Sequence, residues 1–147
     1  MISIEEFVSQ QMNERYKGCI ICGSGLTGKT MLVQKVAKEN NGFYIDVLQK
    51  ISKNEDLKKK INGISPEKIM KLIDIKDQKL IIVDHMDIVF SIWTESKQRE
   101  FIRRLDKKSH GPCLVVVLHN YKILQETDLM ENNSYGNKRI LNIAELS

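Results

Sequence analysis

The sequence predicts an α/β fold, a three-layer α/β sandwich with a mostly parallel five-stranded sheet between two layers of helices. Five short strand-like segments alternate with helical segments along the whole chain. The apolar runs at residues 80–83 and 113–118 are continuous rather than alternating, as in strands covered on both faces. A glycine-rich turn also joins the first predicted strand to a helix. At 147 residues the chain suffices for one domain with an apolar core.

The first half of the chain predicts two strands and three helices. Ser3 and Glu6 form a capping-box pattern, so a first helix is expected within an N-terminal segment, residues 1–16, ahead of a core over residues 17–147. A strand at residues 18–22 leads into the glycine-rich turn, and apolar residues at helical spacing follow it as far as Asn40-Asn41-Gly42. The second strand is expected at residues 43–47, and a charged helix follows at about 54–61.

The second half predicts two helices and three strands. Ser65-Pro66 is a favourable helix start, and residues 96–108 form a further amphipathic helix. Strands are expected at residues 79–84, 112–120 and 139–144. Ligands of parallel α/β sheets sit beyond the carboxyl ends of the strands, so the residues that follow each strand are the candidates for function.

Composition and charge narrow the functional classes. The net charge is +4, and 41% of residues are hydrophobic, which is typical of a folded globular chain. No apolar run approaches the roughly 18 residues of a membrane span, and the N-terminus lacks a secretion signal. A cytoplasmic protein with reduced thiols is therefore expected. Cys19 and Cys22 fall inside a predicted strand without partners for a zinc site, so buried thiols are the expectation.

The turn after the first strand matches the phosphate-binding pattern Gly-x-x-x-x-Gly-Lys-Thr. Glycines allow backbone N–H groups to point inward, and the following helix N-terminus favours phosphate. Lys29 is expected to reach the β and γ phosphates of ATP, and the Thr30 hydroxyl to bind Mg²⁺. At typical residue usage the pattern arises by chance in roughly one chain in two hundred of this length. The residues expected to bind the nucleotide are Gly23, Ser24, Gly25, Leu26, Thr27, Gly28, Lys29, Thr30 and Met31.

A second motif is the apolar run Leu80-Ile-Ile-Val that ends in Asp84. A carboxylate at the end of a buried strand suits the Mg²⁺ shell, opposite the Thr30 hydroxyl. Acidic residues after buried strands are common in general, but this one follows an upstream phosphate-binding motif. Asp84 and Thr30 are therefore the predicted metal ligands.

These segments, with residues 118–120, resemble the additional-strand P-loop ATPases, especially the AAA+ and initiator-like group. The resemblance implies binding of ATP with Mg²⁺. Family members often read Asp-Glu-Ile-Asp after the apolar run, whereas this chain reads Asp84-His85-Met86-Asp87. His85 thus stands where the water-activating glutamate usually stands; a histidine can orient water or act as a base, and Asp87 is a possible substitute. The sequence leaves ATP hydrolysis open.

The resemblance implies two further catalytic residues. Asn120 follows the fourth predicted strand, where the family's sensor residue contacts the γ-phosphate or the attacking water. Lys138 and Arg139 precede the last strand, where AAA+ proteins commonly carry an arginine finger that enters a neighbouring subunit. A finger at Arg139 would require a homo-oligomer. The alternative for Asn120 is a turn residue that ends a strand. The alternative for Lys138 and Arg139 is a solvent-facing basic pair.

The chain ends at Ser147, directly after the last predicted strand, so no C-terminal helical lid is expected. In size, motif order and missing lid it resembles small stand-alone P-loop proteins of bacterial phage-defence islands, in particular the BrxF family of type III BREX systems. That resemblance implies a cytoplasmic, ATP-dependent accessory subunit that works with larger defence proteins on DNA.

Three other functions fit the sequence less well. A GTPase is unsupported because the segments at 84–87 and 137–140 lack the glycine and aspartate that it requires. A small-molecule kinase shares the P-loop, although residues 125–137 contain none of the arginines usual in its lid. A nucleotide-dependent DNA-binding module would use the basic helix around Arg103 and Arg104, since clustered positive charge attracts polyanions.

Overall fold

Five parallel strands form the central sheet of the computed structural model, which describes residues 3–23, 29–126 and 129–145. The sheet order is β2-β3-β4-β1-β5, and every neighbouring pair is parallel, so the predicted α/β class is confirmed. The fourth strand of the sequence thus lies between the first and the third. The strands are β1 (Gly18–Gly23), β2 (Phe43–Asp46), β3 (Leu80–Asp84), β4 (Cys113–His119) and β5 (Ile140–Asn142).

The helices of the described residues include the five predicted ones and two short additional ones. They are α1 (Ile4–Met12), α2 (Lys29–Glu39), α3 (Val47–Ser52), α4 (Glu55–Lys59), α5 (Pro66–Ile73), α6 (Asp87–Phe90) and α7 (Glu95–Asp106). The unpredicted helices, α3 and α6, begin close to the ends of β2 and β3. Residue 47 was predicted in a strand, but Asp46 accepts a hydrogen bond from the backbone N–H of Gln49 at 3.1 Å and so begins α3.

Helices cover both faces of the sheet. The apolar residues of α1 and α2 pack with one set of strand residues, and those of α3 to α7 pack with the other. In β3, Leu80 and Ile82 face α2, whereas Ile81 and Val83 face the opposite layer. Because side chains alternate along a strand, Asp84 lies on the α2 face of the sheet.

Two predicted helix boundaries have a clear local cause. The Ser3 hydroxyl accepts the backbone N–H of Glu6 at 3.1 Å, as the capping pattern predicts. At the end of α2 the left-handed residue is Asn41, with φ of 52°, rather than the glycine beside it. Gly42 has another role, because a Cβ there would lie 3.0 Å from the Leu80 side chain. The small residue lets the chain enter β2 close to β3.

Gly18 allows α7 to pack closely against the start of β1. A Cβ at this position would lie 2.3 Å from the carbonyl oxygen of Leu105, well inside contact distance. The backbone N–H of Lys17 also donates to the carbonyl of Lys108 at 2.9 Å. The amino end of the sheet is therefore joined directly to the end of α7.

Candidate functional site

The carboxyl edge of the sheet gathers the predicted site residues. In the strand register Gly23 at the end of β1 lies beside His119 of β4, and Asp46 of β2 lies beside Asp84 of β3. Neighbouring strand ends in a parallel sheet are about 5 Å apart. The edge therefore carries two adjacent sets of polar groups, one around β1 and β4 and one around β2 and β3.

The glycine-rich motif has a strand on one side and a helix on the other. Gly23 is the buried last residue of β1, and α2 begins at Lys29. Residues 24–28 and the side chain of Lys29 lie outside the described residues, so their predicted phosphate contacts remain predictions. Thr30 is half-buried in the first turn of α2, whereas Met31 is 79% exposed. The strand and helix that a phosphate cradle requires are both present.

Asp84 is a buried carboxylate with a fixed orientation. Its side chain lies at the end of β3, and the residue is only 3% exposed. Oδ2 accepts a hydrogen bond from the Tyr44 hydroxyl at 2.6 Å, and Oδ1 accepts the backbone N–H of His85 at 2.9 Å. Burial raises the pKa of Tyr44 above its usual value, and the hydrogen bond with Asp84 raises it further. Tyr44 therefore stays a hydroxyl donor at neutral pH.

The donor set near this carboxylate fits Mg²⁺. Asp84 and Thr30 offer oxygen ligands of the kind that Mg²⁺ prefers. Thr30 lies in the first turn of α2, and Asp84 lies on the face of the sheet that α2 covers. Among the described residues no three histidine, cysteine, aspartate or glutamate side chains gather as a metal site. Mg²⁺ in phosphoryl-transfer proteins uses one or two carboxylates together with substrate phosphates, so it needs no such cage.

His85 has a strained backbone at the turn out of β3. Its φ is 56°, in the left-handed region that residues other than glycine seldom adopt. The side chain is 44% exposed, and Nδ1 lies 3.1 Å from Oδ2 of Asp46, at ion-pair distance without the alignment of a hydrogen bond. Such strain costs about 1–3 kcal/mol and is often found at functional sites. Because its Nδ1 is close to Asp46, the imidazole lies beside the end of β2, at the carboxyl edge of the sheet.

Asp87 joins the end of β4 to the turn after β3. Its Oδ1 accepts the backbone N–H of His119 and the hydroxyl of Tyr121, both at 2.8 Å. Burial, followed by the hydrogen bond with Asp87, raises the pKa of Tyr121 above its usual value. Asp87 thus fixes the chain on both sides of Asn120. The structure gives it a positioning contact, and its predicted role as a substitute base stays a prediction.

Asn120 is exposed just beyond β4, next to the strand that enters the cradle. It lines a cleft of about 260 Å³ together with Cys22 and Asn142, which come from the ends of β1 and β5. His119, one residue earlier, is level with Gly23, where the glycine-rich segment begins. The predicted contact of Asn120 with a γ-phosphate requires that Asn120 lie near the glycine-rich segment.

Arg139 does not lie where the predicted intersubunit finger requires it. The residue is 2% exposed, and its guanidinium donates to Oδ1 of Asp106 at 2.7 Å and to the backbone carbonyls of Gly18, Asp106 and Glu131. A finger that enters another subunit needs an exposed guanidinium, whereas this one is held inside by four hydrogen bonds. The prediction is corrected: Arg139 is a structural residue of this chain, and only Lys138 of the basic pair is exposed.

Cys19 and charged residues in and just after α7 have partners within the protein. The cysteines are buried, and the pKa of Cys19 is raised chiefly by a hydrogen bond with Cys113 and then by burial. In the basic helix, Arg104 pairs with Glu100 at 3.1 Å. Lys108, just beyond the end of α7, is buried: it donates to the Pro112 carbonyl at 2.6 Å and pairs with Asp74 at 3.2 Å.

Sequence reasoning missed Tyr44, Asp46 and Tyr121, whose side chains contact the predicted site residues. Asp46 lies near the end of a predicted strand, so its place at the carboxyl edge was a signal that could have found it, whereas Tyr44 lies near the start of that strand and gave no such signal. Tyr121 directly follows the predicted sensor residue. Their contacts with Asp84, His85 and Asp87 cross between strands, and one sequence alone does not reveal such pairs.

Comparison with known proteins supports a nucleotide-binding interpretation of this edge. The family model described as ATPase family associated with various cellular activities (AAA) matches residues 19–139. The match extends from Cys19 in β1 to Arg139, directly before β5, and includes both motifs. No curated protein matches the chain. In the described part of the chain, no helix has the length and apolar character to cross a bilayer.

Proposed function

Because the chain belongs to the ATPase family associated with various cellular activities (AAA), with a nucleotide-binding P-loop ATPase-type domain, we propose that it binds ATP with Mg²⁺. The bound nucleotide then acts as a switch, or is hydrolysed slowly, within a larger cytoplasmic assembly. The observation that carries the proposal is Asp84: a buried carboxylate, fixed by two donors, on the same face of the sheet as α2.

Each part of the site has a distinct task in this proposal. Backbone N–H groups of the glycine-rich segment and the Lys29 ammonium bind the phosphates, while the N-terminus of α2 adds a favourable dipole. The Thr30 hydroxyl and the Asp84 carboxylate hold the metal. Mg²⁺, when bound, offsets the negative charge of the phosphate oxygens.

Hydrolysis would use residues at the same edge. His85 is partly exposed and could take a proton from water, and Asn120 could orient that water or contact the terminal phosphate. Because an imidazole replaces the usual glutamate, we propose turnover that is weak or activated by a partner. Asp87 and Tyr121 support this step indirectly, since they fix the segment that carries Asn120.

The proposed setting is a phage-defence assembly associated with DNA. This part of the proposal is supported by the resemblance of motif order to the BrxF family. Arg139 gives no support for self-association, because that side chain is buried. Dependence of turnover on protein concentration and on added DNA is the direct way to test for an assembly.

A small-molecule kinase is the second candidate, because the cleft of about 260 Å³ opens beside the strand that enters the cradle. Its lining includes the amide side chains of Asn120, Gln125 and Asn142, which suit a polar acceptor. ATP labelled on its terminal phosphate separates the two candidates. Label released as inorganic phosphate supports the ATPase, whereas label on a small acceptor supports the kinase.

The binding proposal is tested by calorimetric titration with ATP and Mg²⁺ on the wild type and on Lys29→Ala. We expect saturable binding by the wild type and its loss in Lys29→Ala. Lys35→Ala is the matched control, since this lysine lies on the same helix with an exposed side chain paired to Glu39. Equal affinity of Lys29→Ala and wild type, or no binding by the wild type, would contradict the proposal.

A further inference from the structure

Tyr44 connects the two elements that carry the predicted metal ligands. It lies on β2, opposite Ile82 of β3, and its ring packs among the core residues of the α2 face. Its hydroxyl reaches along β3 and donates to Oδ2 of Asp84 at 2.6 Å. The bond joins residues 40 positions apart in the chain.

The contact has a second branch toward α2. Burial and Asp84 raise the pKa of Tyr44, and the Gln34 side chain on α2 acts on the same hydroxyl in the opposite direction. Gln34 is four residues after Thr30 on α2, and residues at this spacing lie on the same helix face, one turn apart. The Tyr44 hydroxyl thus lies between the helix of one predicted Mg²⁺ ligand and the carboxylate of the other, and it donates to that carboxylate.

We propose that Tyr44 is a positioning residue for Mg²⁺, which holds the Asp84 carboxylate in the orientation that the metal requires. This inference rests on the proposed ATP and Mg²⁺ binding. An ionised carboxylate has about four lone-pair sites, so it can accept the bonds from Tyr44 and His85 and still bind a cation. Mg²⁺ demands near-ideal octahedral geometry, and the partners that orient its ligands therefore matter for affinity.

The test is Tyr44→Phe, which removes the hydroxyl and keeps the ring. The affinity for a fluorescent ATP analogue is measured in EDTA and over a range of Mg²⁺ concentrations, together with the melting temperature. We expect Tyr44→Phe to need about tenfold more Mg²⁺ for the half-maximal gain in affinity, as is typical when an orienting partner is lost. Affinity in EDTA should stay at the wild-type value, because the phosphate cradle is untouched.

Tyr135→Phe is the matched control, since Tyr135 is 62% exposed and lies in the segment that precedes β5. It should leave the Mg²⁺ dependence unchanged. Gln34→Ala is the second test variant; its side chain is exposed, so folding is not at risk. It should shift the Mg²⁺ requirement in the same direction by a smaller factor, about threefold.

The outcomes separate this inference from the proposed function. Wild-type Mg²⁺ dependence in Tyr44→Phe, or an equal loss of affinity in EDTA, overturns the positioning role and leaves ATP binding intact. If Tyr44→Phe does not fold, unchanged Mg²⁺ dependence in Gln34→Ala overturns it. A wild-type protein that binds no nucleotide at any Mg²⁺ concentration overturns both.

Discussion

The two ends of the sheet both hold buried charge, but they use it differently. At the amino end, the Arg139 guanidinium makes four hydrogen bonds, and its carboxylate partner Asp106 also accepts the backbone N–H of Glu131 at 3.2 Å. At the carboxyl end, Asp84 accepts one bond on each oxygen. The first network holds the chain together, whereas the second keeps acceptor capacity for a ligand.

Strain shows the same contrast between the two ends. At the amino end, Gly18 has no side chain, and α7 can therefore approach β1 closely. At the carboxyl end, His85 keeps a full side chain at a positive φ, and its imidazole is partly exposed. Residues held in a costly backbone conformation are often found at functional positions. We infer that the amino end is built for stability and the carboxyl end for chemistry.

The largest expected effect is on stability at the amino end, from Arg139→Ala. Removing the guanidinium leaves the carboxylate of Asp106 poorly paired in the interior, and we expect the free energy of unfolding to fall by about 3–5 kcal/mol. Urea denaturation measures the change. The neighbouring exposed Lys138→Ala serves as control and should stay within about 0.5 kcal/mol of wild type. Similar losses in the two variants would contradict the structural role of Arg139.

Gly18→Ala should also destabilise the amino end. Its Cβ would meet the Leu105 carbonyl oxygen at 2.3 Å, so α7 and β1 would have to separate. We expect a loss of about 3 kcal/mol in the free energy of unfolding, at the upper range for overpacking. Gly63→Ala is the control, because a Cβ there has no neighbour within 4 Å. A tolerated Gly18→Ala would show that this contact is not tight in solution.

Asp84→Asn should act on ligand binding at the carboxyl end. The amide keeps the size of the side chain and removes the charge, so we expect at least a tenfold loss of Mg²⁺-dependent ATP affinity, about 1.4 kcal/mol. Calorimetry with and without Mg²⁺ measures it. The free energy of unfolding should change much less than in Arg139→Ala. A large loss of stability with normal Mg²⁺ dependence would reverse the comparison between the two ends.

His85→Gly has the smallest expected effect on stability, and the sign is opposite. Glycine adopts a positive φ without a steric penalty, so we expect a gain of about 1 kcal/mol in the free energy of unfolding. The same variant should lose any ATP turnover, measured as phosphate release. Asn41→Gly is the matched control, because Asn41 has a similar φ of 52° at the end of α2. It should gain stability and keep turnover; loss of turnover in both variants would remove the case for His85.

The fold class, most element positions and the two motifs follow from the amino-acid sequence alone. Those features are local: hydrophobic periodicity reveals strands and helices, and the spacing of glycines, Lys29 and Thr30 is itself the phosphate-binding pattern. The place of Asp84 at the end of a buried strand followed from the same local reasoning. The short helices α3 and α6 were missed because each spans only four to six residues and starts beside a strand end.

The partners of the charged side chains are set by the three-dimensional arrangement of the elements. Arg139 was predicted to be an exposed finger, and its neighbour Lys138 fits that pattern equally well in sequence. Its burial depends on Asp106, which lies 33 positions away in the chain. The bond between Tyr44 and Asp84 likewise joins two strands. Whether a charge is saturated inside the protein or left available for a ligand depends on distances between elements, and these arise only when the sheet assembles.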